Sequence, residues 1–165
     1  MPDKVVLVRH GPAQARGIMS DYARALTTTG RRLLEEAYPE PFGALLPDGA
    51  TADGMSVWTS TMTRALQTAE VICDVVGIPR ERIVKFGALT AQDENSILNA
   101  ILRDGSRVLV VVGHSPSLDA IASTLSSRLR IMTQGEALCI DMSGAGDGSY
   151  PVLWSCQPTL AMRAD

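Results

Sequence analysis

The chain of 165 residues has only two histidines and three cysteines, and no apolar run approaches the ~20 residues that a helix needs to cross a bilayer. No membrane association is therefore expected. An excess of basic charge is also missing. Fifteen Lys and Arg stand against eighteen Asp and Glu, a net charge of −3, which argues against a nucleic-acid partner. Cys73, Cys139 and Cys156 are odd in number, sit in unrelated apolar segments and lack zinc-ligand spacing. They read as buried, reduced thiols of a cytoplasmic protein rather than as a disulfide, a metal site or a catalytic nucleophile. A secretory leader is not expected, because the first strand already begins at about Lys4. With 45% hydrophobic and 20% charged residues, the composition is that of an ordinary globular protein, and the length suggests one domain over 1–165.

The two histidines are placed alike. His10 closes the run Val5-Val6-Leu7-Val8-Arg9, and His114 closes Val108-Leu109-Val110-Val111-Val112-Gly113. Short β-branched runs ended by turn signals read as buried parallel strands. Ligands of such sheets bind beyond the carboxyl ends of the strands, so both imidazoles are expected at one crevice.

The rest of the pattern alternates. Strands are expected at Lys4–Arg9, Ser56–Thr59, Arg82–Phe86 and Arg107–Val112. Helices are expected at Thr28–Tyr38, Met62–Val76, Asp93–Asp104 and Pro116–Ser126. The second should be capped by Gly77 and the third by Asp93 and Gly105; Ser115 should cap the fourth, with Pro116 at its first position. Residues 39–55, rich in Pro and Gly, read as loop with a short helical turn around Phe42, Leu45 and Leu46. Two final strand-like runs, Ala137–Ser143 and Ser149–Ser155, flank Gly144–Gly148 and form a hairpin signal. This gives an α/β fold: a three-layer α/β/α sandwich with a mostly parallel central sheet and an antiparallel C-terminal edge.

Chemistry concentrates at the strand ends. Arg9-His10-Gly11 sets a guanidinium, suited to bidentate capture of phosphate oxygens, beside an imidazole that can carry a phosphoryl group. Gly11 allows a sharp turn and close approach to a ligand. Arg64 falls in the first turn of the second helix, next to an N-terminus that favours anions. Gly113-His114-Ser115-Pro116 is a strand-to-helix turn with free backbone N–H groups. Thr27 and its Thr-rich neighbours suit a helix cap or a ligand contact equally. Asp21 and Arg24 lie in the first loop, where a substrate would enter. Trp58 and Trp154 read as core, and Arg128 and Arg130 as surface charge.

Arg9-His10-Gly11, Arg64-Ala65-Leu66-Gln67-Thr68-Ala69 and Gly113-His114-Ser115-Pro116, in this order and spacing, resemble the histidine phosphatase superfamily, also called phosphoglycerate-mutase-like, over nearly the whole chain. The short length, Arg24-Ala25-Leu26-Thr27 and Gly87-Ala88-Leu89-Thr90 look most like its SixA-type phosphohistidine phosphatase branch. The resemblance implies that His10 attacks phosphorus and is then freed by water, while Arg9, Arg64 and His114 clamp the equatorial oxygens. It places Gly11, Arg24 and Ser115 as substrate contacts and implies no metal or cofactor. The implied partner is a phosphorylated protein, such as a histidine phosphotransfer domain, or a small phosphorylated metabolite.

One position departs from the pattern. Ala88 stands where many relatives of this branch carry glutamate, and ester-cleaving members place an acid on this segment to protonate an alkoxide. Asp93, Glu94 and Glu136 are the carboxylates left to stand in, and nothing in the sequence favours one. A site without a placed acid suits phosphohistidine or activated aryl esters better than alkyl phosphates. Two alternatives stay open beside a phosphohistidine phosphatase: a broad-specificity phosphomonoesterase and a non-catalytic phosphoprotein-binding module.

Overall fold

The computed structural model describes residues 1–46, 52–144 and 147–158. Its centre is a six-stranded sheet formed by β1 (Lys4–Arg9), β2 (Met55–Thr59), β3 (Val84–Lys85), β4 (Val108–Gly113), β5 (Ala137–Asp141) and β6 (Val152–Cys156) in the order β3-β2-β4-β1-β5-β6. β1, β2, β3 and β4 run parallel; β5 pairs antiparallel with β1, and β6 antiparallel with β5.

Strand alternation decides the layers. Val6, Val8, Val57, Val110 and Val112 face α1 (Thr28–Ala37), α2 (Pro39–Gly43) and α3 (Thr63–Val76), where they pack with Leu34, Tyr38, Phe42 and Ile72. Val5, Leu7, Leu109 and Val111 face α5 (Glu94–Arg103) and α6 (Ser117–Ser126), packing with Ile97, Ile101, Leu118 and Ile121. The α/β/α sandwich expected from the sequence is the observed fold. Trp58 and Trp154 are partly buried against the two apolar clusters, one on each face.

Several boundaries differ from the sequence reading. The third strand shrinks to Val84–Lys85, because a five-residue helix, α4 (Gly87–Ala91), follows directly after Phe86. α6 begins at Ser117, with Pro116 at the cap position and no side-chain capping bond. Ser115 does not cap the helix; its hydroxyl donates to Asp119 Oδ1 at 2.9 Å. Asp93 does cap α5, accepting from the Ser96 N–H at 3.1 Å, and Gly77 ends α3 in the left-handed conformation. Gly105 plays no such part: α5 stops at Asp104 in extended backbone, so no left-handed residue is needed. The hairpin strands are shorter than expected and shift register between Cys139 and Ile140. Pro47, Gly49 and the loop residues Ala145 and Gly146 lie outside the described residues.

α1 is locked onto the loop after β1. A Cβ at Gly30 would stand 2.5 Å from the Pro12 carbonyl oxygen, which already accepts from the Thr27 N–H at 3.1 Å. Neither backbone group can yield freely. Gly30→Ala should destabilise the fold by about 1–3 kcal/mol. Gly43→Ala, with open space around the new methyl, is the control. Urea midpoints of the two variants check this; equal midpoints would contradict it.

Candidate active site

Three neighbouring parallel strands end at the site. The residues after β2 and β1 continue the ladder onto β4: the Ser60 N–H donates to Val112 O at 3.0 Å, and the His10 N–H donates to Gly113 O at 3.1 Å. Gly135 pins the turn from the other side, donating to the carbonyls of Arg9 and His10 at 3.0 and 2.9 Å. Tyr38, fully buried, donates its hydroxyl to Gly135 O at 2.8 Å and so ties α1 to this turn.

His10 is 6% exposed and forms part of a cleft of about 200 Å³. Its Nδ1 lies 2.8 Å from the Gly11 carbonyl, an acceptor only, which assigns the proton to Nδ1. Nε2 then keeps its lone pair, and Arg64 Nε donates to it at 3.3 Å. Burial pushes the His10 pKa down to about 3; His114, Arg64 and Arg9 add to the fall, while the Gly11 bond opposes it. The ring is neutral at physiological pH, as a nitrogen nucleophile must be.

His114 lies beside it, with ring centroids 5.2 Å apart. Its Nε2 is 2.8 Å from Ser60 Oγ, which also accepts from the Met62 N–H and contacts Thr90 Oγ1 at 3.1 Å. Burial, then the charge of Arg64, lowers its pKa to about 4 against the opposing Asp21. Unfolded histidine titrates near 6.5. Between about pH 6.5 and 4 the unfolded chain therefore binds protons that the folded chain refuses, and stability falls as pH falls. Each histidine can contribute a slope of up to about 1.4 kcal/mol per pH unit. Denaturant titrations at pH 7.5 and 5 should show a smaller acid loss in His114→Ala than in wild type. Equal losses would mean that His114 is not held neutral.

Four arginines line the cleft: Arg9, Arg16, Arg24 and Arg64. Arg9 donates through Nη1 to Met132 O at 2.8 Å, whereas its buried Nε has no partner. Arg64 spends three of its five donors, on His10 Nε2, on Asp21 O at 2.8 Å and on Asp21 Oδ2 at 3.3 Å. Arg24 is only 7% exposed, held by Asp21 Oδ1 at 2.9 Å and by Gln14 O at 2.8 Å, so it is no solvated loop charge. A cleft of guanidiniums around a neutral imidazole is built to take an anion.

The fold of this chain also occurs in solved structures. The protein histidine phosphatase SixA, in complex with tungstate, is 21% identical, with a TM-score of 0.70 over 94% of this chain and 97% of that one. A candidate phosphohistidine phosphatase SixA from Agrobacterium tumefaciens is 20% identical, with a TM-score of 0.73 over 96% and 100% of the two chains. The alpha-ribazole phosphatase from Shigella flexneri is 15% identical, with a TM-score of 0.65 over 94% and 96%. The chain has the histidine phosphatase fold. No family model and no curated protein matches its sequence.

Within this fold the cleft gathers His10, Arg9, Arg64, His114, Arg24 and Ser115. Gly11 is not on the lining. Its N–H donates to Thr68 Oγ1 at 3.1 Å, and a Cβ there would stand 2.7 Å from Leu34 Cδ1. A side chain there would press on α1, and its carbonyl holds the His10 ring. Ala88 is half-buried on α4 against the apolar cluster of its face. None of the stand-in carboxylates lines the cleft. Asp93 is the exposed α5 cap, and Glu94 sits exposed in the same first turn. Glu136 is buried, taking the Thr133 N–H at 2.8 Å and the Gln157 amide at 3.2 Å. The carboxylate on the cleft lining is Asp21, accompanied by Met62, Gln92 and Gln134. The last three carried no signal in the sequence, being loop or helix-end residues without periodicity.

Proposed function

We propose that this protein is a phosphatase that removes a phosphoryl group through a covalent phosphohistidine on His10, with protein phosphohistidine as its substrate. The observation that carries this reading is the tautomer lock. Gly11 O holds the His10 Nδ1 proton and leaves the Nε2 lone pair among guanidiniums, in a cleft where a phosphoryl group would sit.

Nε2 attacks phosphorus and the P–N bond to the substrate breaks. Water then attacks the phosphoenzyme, releasing phosphate and restoring neutral His10. The free Nε of Arg9 and the two uncommitted donors of Arg64 meet the equatorial oxygens, where the transition state concentrates charge. A phosphoryl dianion raises the depressed pKa of His114, so that this ring can hold a proton toward the oxygens in the complex but not in the free site. Three free cysteines, two of them fully buried, favour a cytoplasmic setting. The likeness to an alpha-ribazole phosphatase favours a second reading, phosphomonoester hydrolysis of a small metabolite. A phosphorylated histidine phosphotransfer domain set against a panel of alkyl phosphates separates the two. Faster turnover of the phosphoprotein is expected, and comparable rates on alkyl esters would overturn the assignment.

A further inference from the structure

Four arginines line the cleft, and Asp21, the carboxylate among its described lining residues, stands at the rim. Asp21 opens a single 3₁₀ turn, Asp21–Ala23, in the loop between β1 and α1. Its side chain is 51% exposed, whereas His10 on the floor is 6% exposed. Oδ1 is 2.9 Å from the Arg24 guanidinium, and Oδ2 is 3.3 Å from that of Arg64. Arg64 reaches His10 Nε2 with its Nε and Asp21 with the two far nitrogens, so the guanidinium spans the distance from nucleophile to carboxylate. A phosphoryl group attacked from the floor must carry its leaving group outward, to the level of Asp21.

We propose that Asp21 determines specificity by favouring a leaving group that carries positive charge, the protonated imidazole of a phosphohistidine, over one that departs as an anion. This assignment rests on the reading of His10 as a phosphohistidine-forming nucleophile. A phosphorylated imidazole can bear a proton on its second ring nitrogen. The Asp21 carboxylate accepts a hydrogen bond from that N–H and stabilises the cation. When His10 Nε2 bonds to phosphorus, the electron pair of the broken P–N bond stays on the departing nitrogen. The ring then leaves as neutral imidazole, its proton already on the other nitrogen. No acid is required at the bond that breaks, which fits the apolar surroundings of Ala88.

An alkoxide or phenolate meets the opposite situation. Its charge grows beside a carboxylate. Against the opposing effect of burial, Arg24 and Arg64 hold that carboxyl below its usual pKa, so it has no proton to give. Arg24 and Arg64 also fix where the carboxylate sits; Arg16, which is exposed, and Arg9 are the other charges on the cleft lining.

The test compares a phosphohistidine peptide with p-nitrophenyl phosphate on wild type, Asp21→Asn and Asp21→Glu. Asp21→Asn keeps an oxygen for Arg24 but removes the charge. Its kcat/KM on the phosphohistidine peptide should fall by about tenfold or more relative to that on p-nitrophenyl phosphate. Asp21→Glu should recover part of the peptide activity. A parallel fall on both substrates would make Asp21 a scaffold for Arg24 and Arg64 and overturn the assignment, as would unchanged rates on both. Wild type inert on the peptide but active on the aryl ester would overturn this assignment together with the substrate reading it rests on.

Discussion

His10→Ala should abolish turnover, lowering kcat on any phosphorylated substrate by on the order of 10⁴-fold or more, as loss of a covalent nucleophile does elsewhere. No neighbour can take over. The Nε2 of His114 is engaged with Ser60 Oγ, and the thiols lie in the core or on β6, away from the cleft. Arg9 and Arg64 remain in the variant and still gather the anion, so phosphate or tungstate binding should survive while chemistry stops. Rapid quenching of wild type with labelled substrate should trap an acid-labile phosphoenzyme that the variant lacks. Label retained in His10→Ala would move the nucleophile elsewhere. Wild-type turnover no higher than the variant's would favour a phosphoprotein-binding module.

Arg64→Ala should lower kcat/KM by roughly 10²–10³-fold, the effect of losing a preorganised charge-stabilising donor. The size follows from how many tasks one side chain performs. Arg64 touches His10 Nε2, keeps two free donors facing the proposed phosphoryl site and anchors Asp21 through side chain and backbone. Arg64→Lys should recover little, because a single ammonium cannot point in all three directions at once. Single-turnover rates on p-nitrophenyl phosphate read the effect, and Arg128→Ala is a distant control for the loss of one positive charge. A fall of less than about fivefold in Arg64→Ala would remove this residue from the transition-state clamp.

The central strands were the most legible part of the molecule. Val5–Val8 and Val108–Val112 are buried throughout, so an unbroken β-branched run met no competing signal, and the placement of His10 and His114 followed. Arg64 was equally open to reading, since a strand followed at once by an amphipathic helix fixes its first turn. Asp21 and Arg24 were found near the entrance but not as a pair. Their ion pair depends on the 3₁₀ turn at Asp21–Ala23, which no periodicity announces. The support of His114 by Ser60 and Thr90 was hidden for a related reason: the two are thirty positions apart and meet only because β2 and α4 end side by side. The surroundings of Gly11 were hidden as well, because its N–H partner Thr68 and its close neighbour Leu34 both come from distant helices.

Arg9 pairs with Gly113 in the β1–β4 ladder, and one residue further along each strand lie the two imidazoles. Adjacent strands are held about 4.8 Å apart, so the sheet itself sets the gauge of the histidine pair. A slip of one residue between these strands would turn Arg9 and His10 each to the other face while leaving a compact, apolar-cored chain. Catalysis therefore reports on strand register. During refolding, the return of activity should mark alignment of the middle of the sheet rather than collapse of the chain.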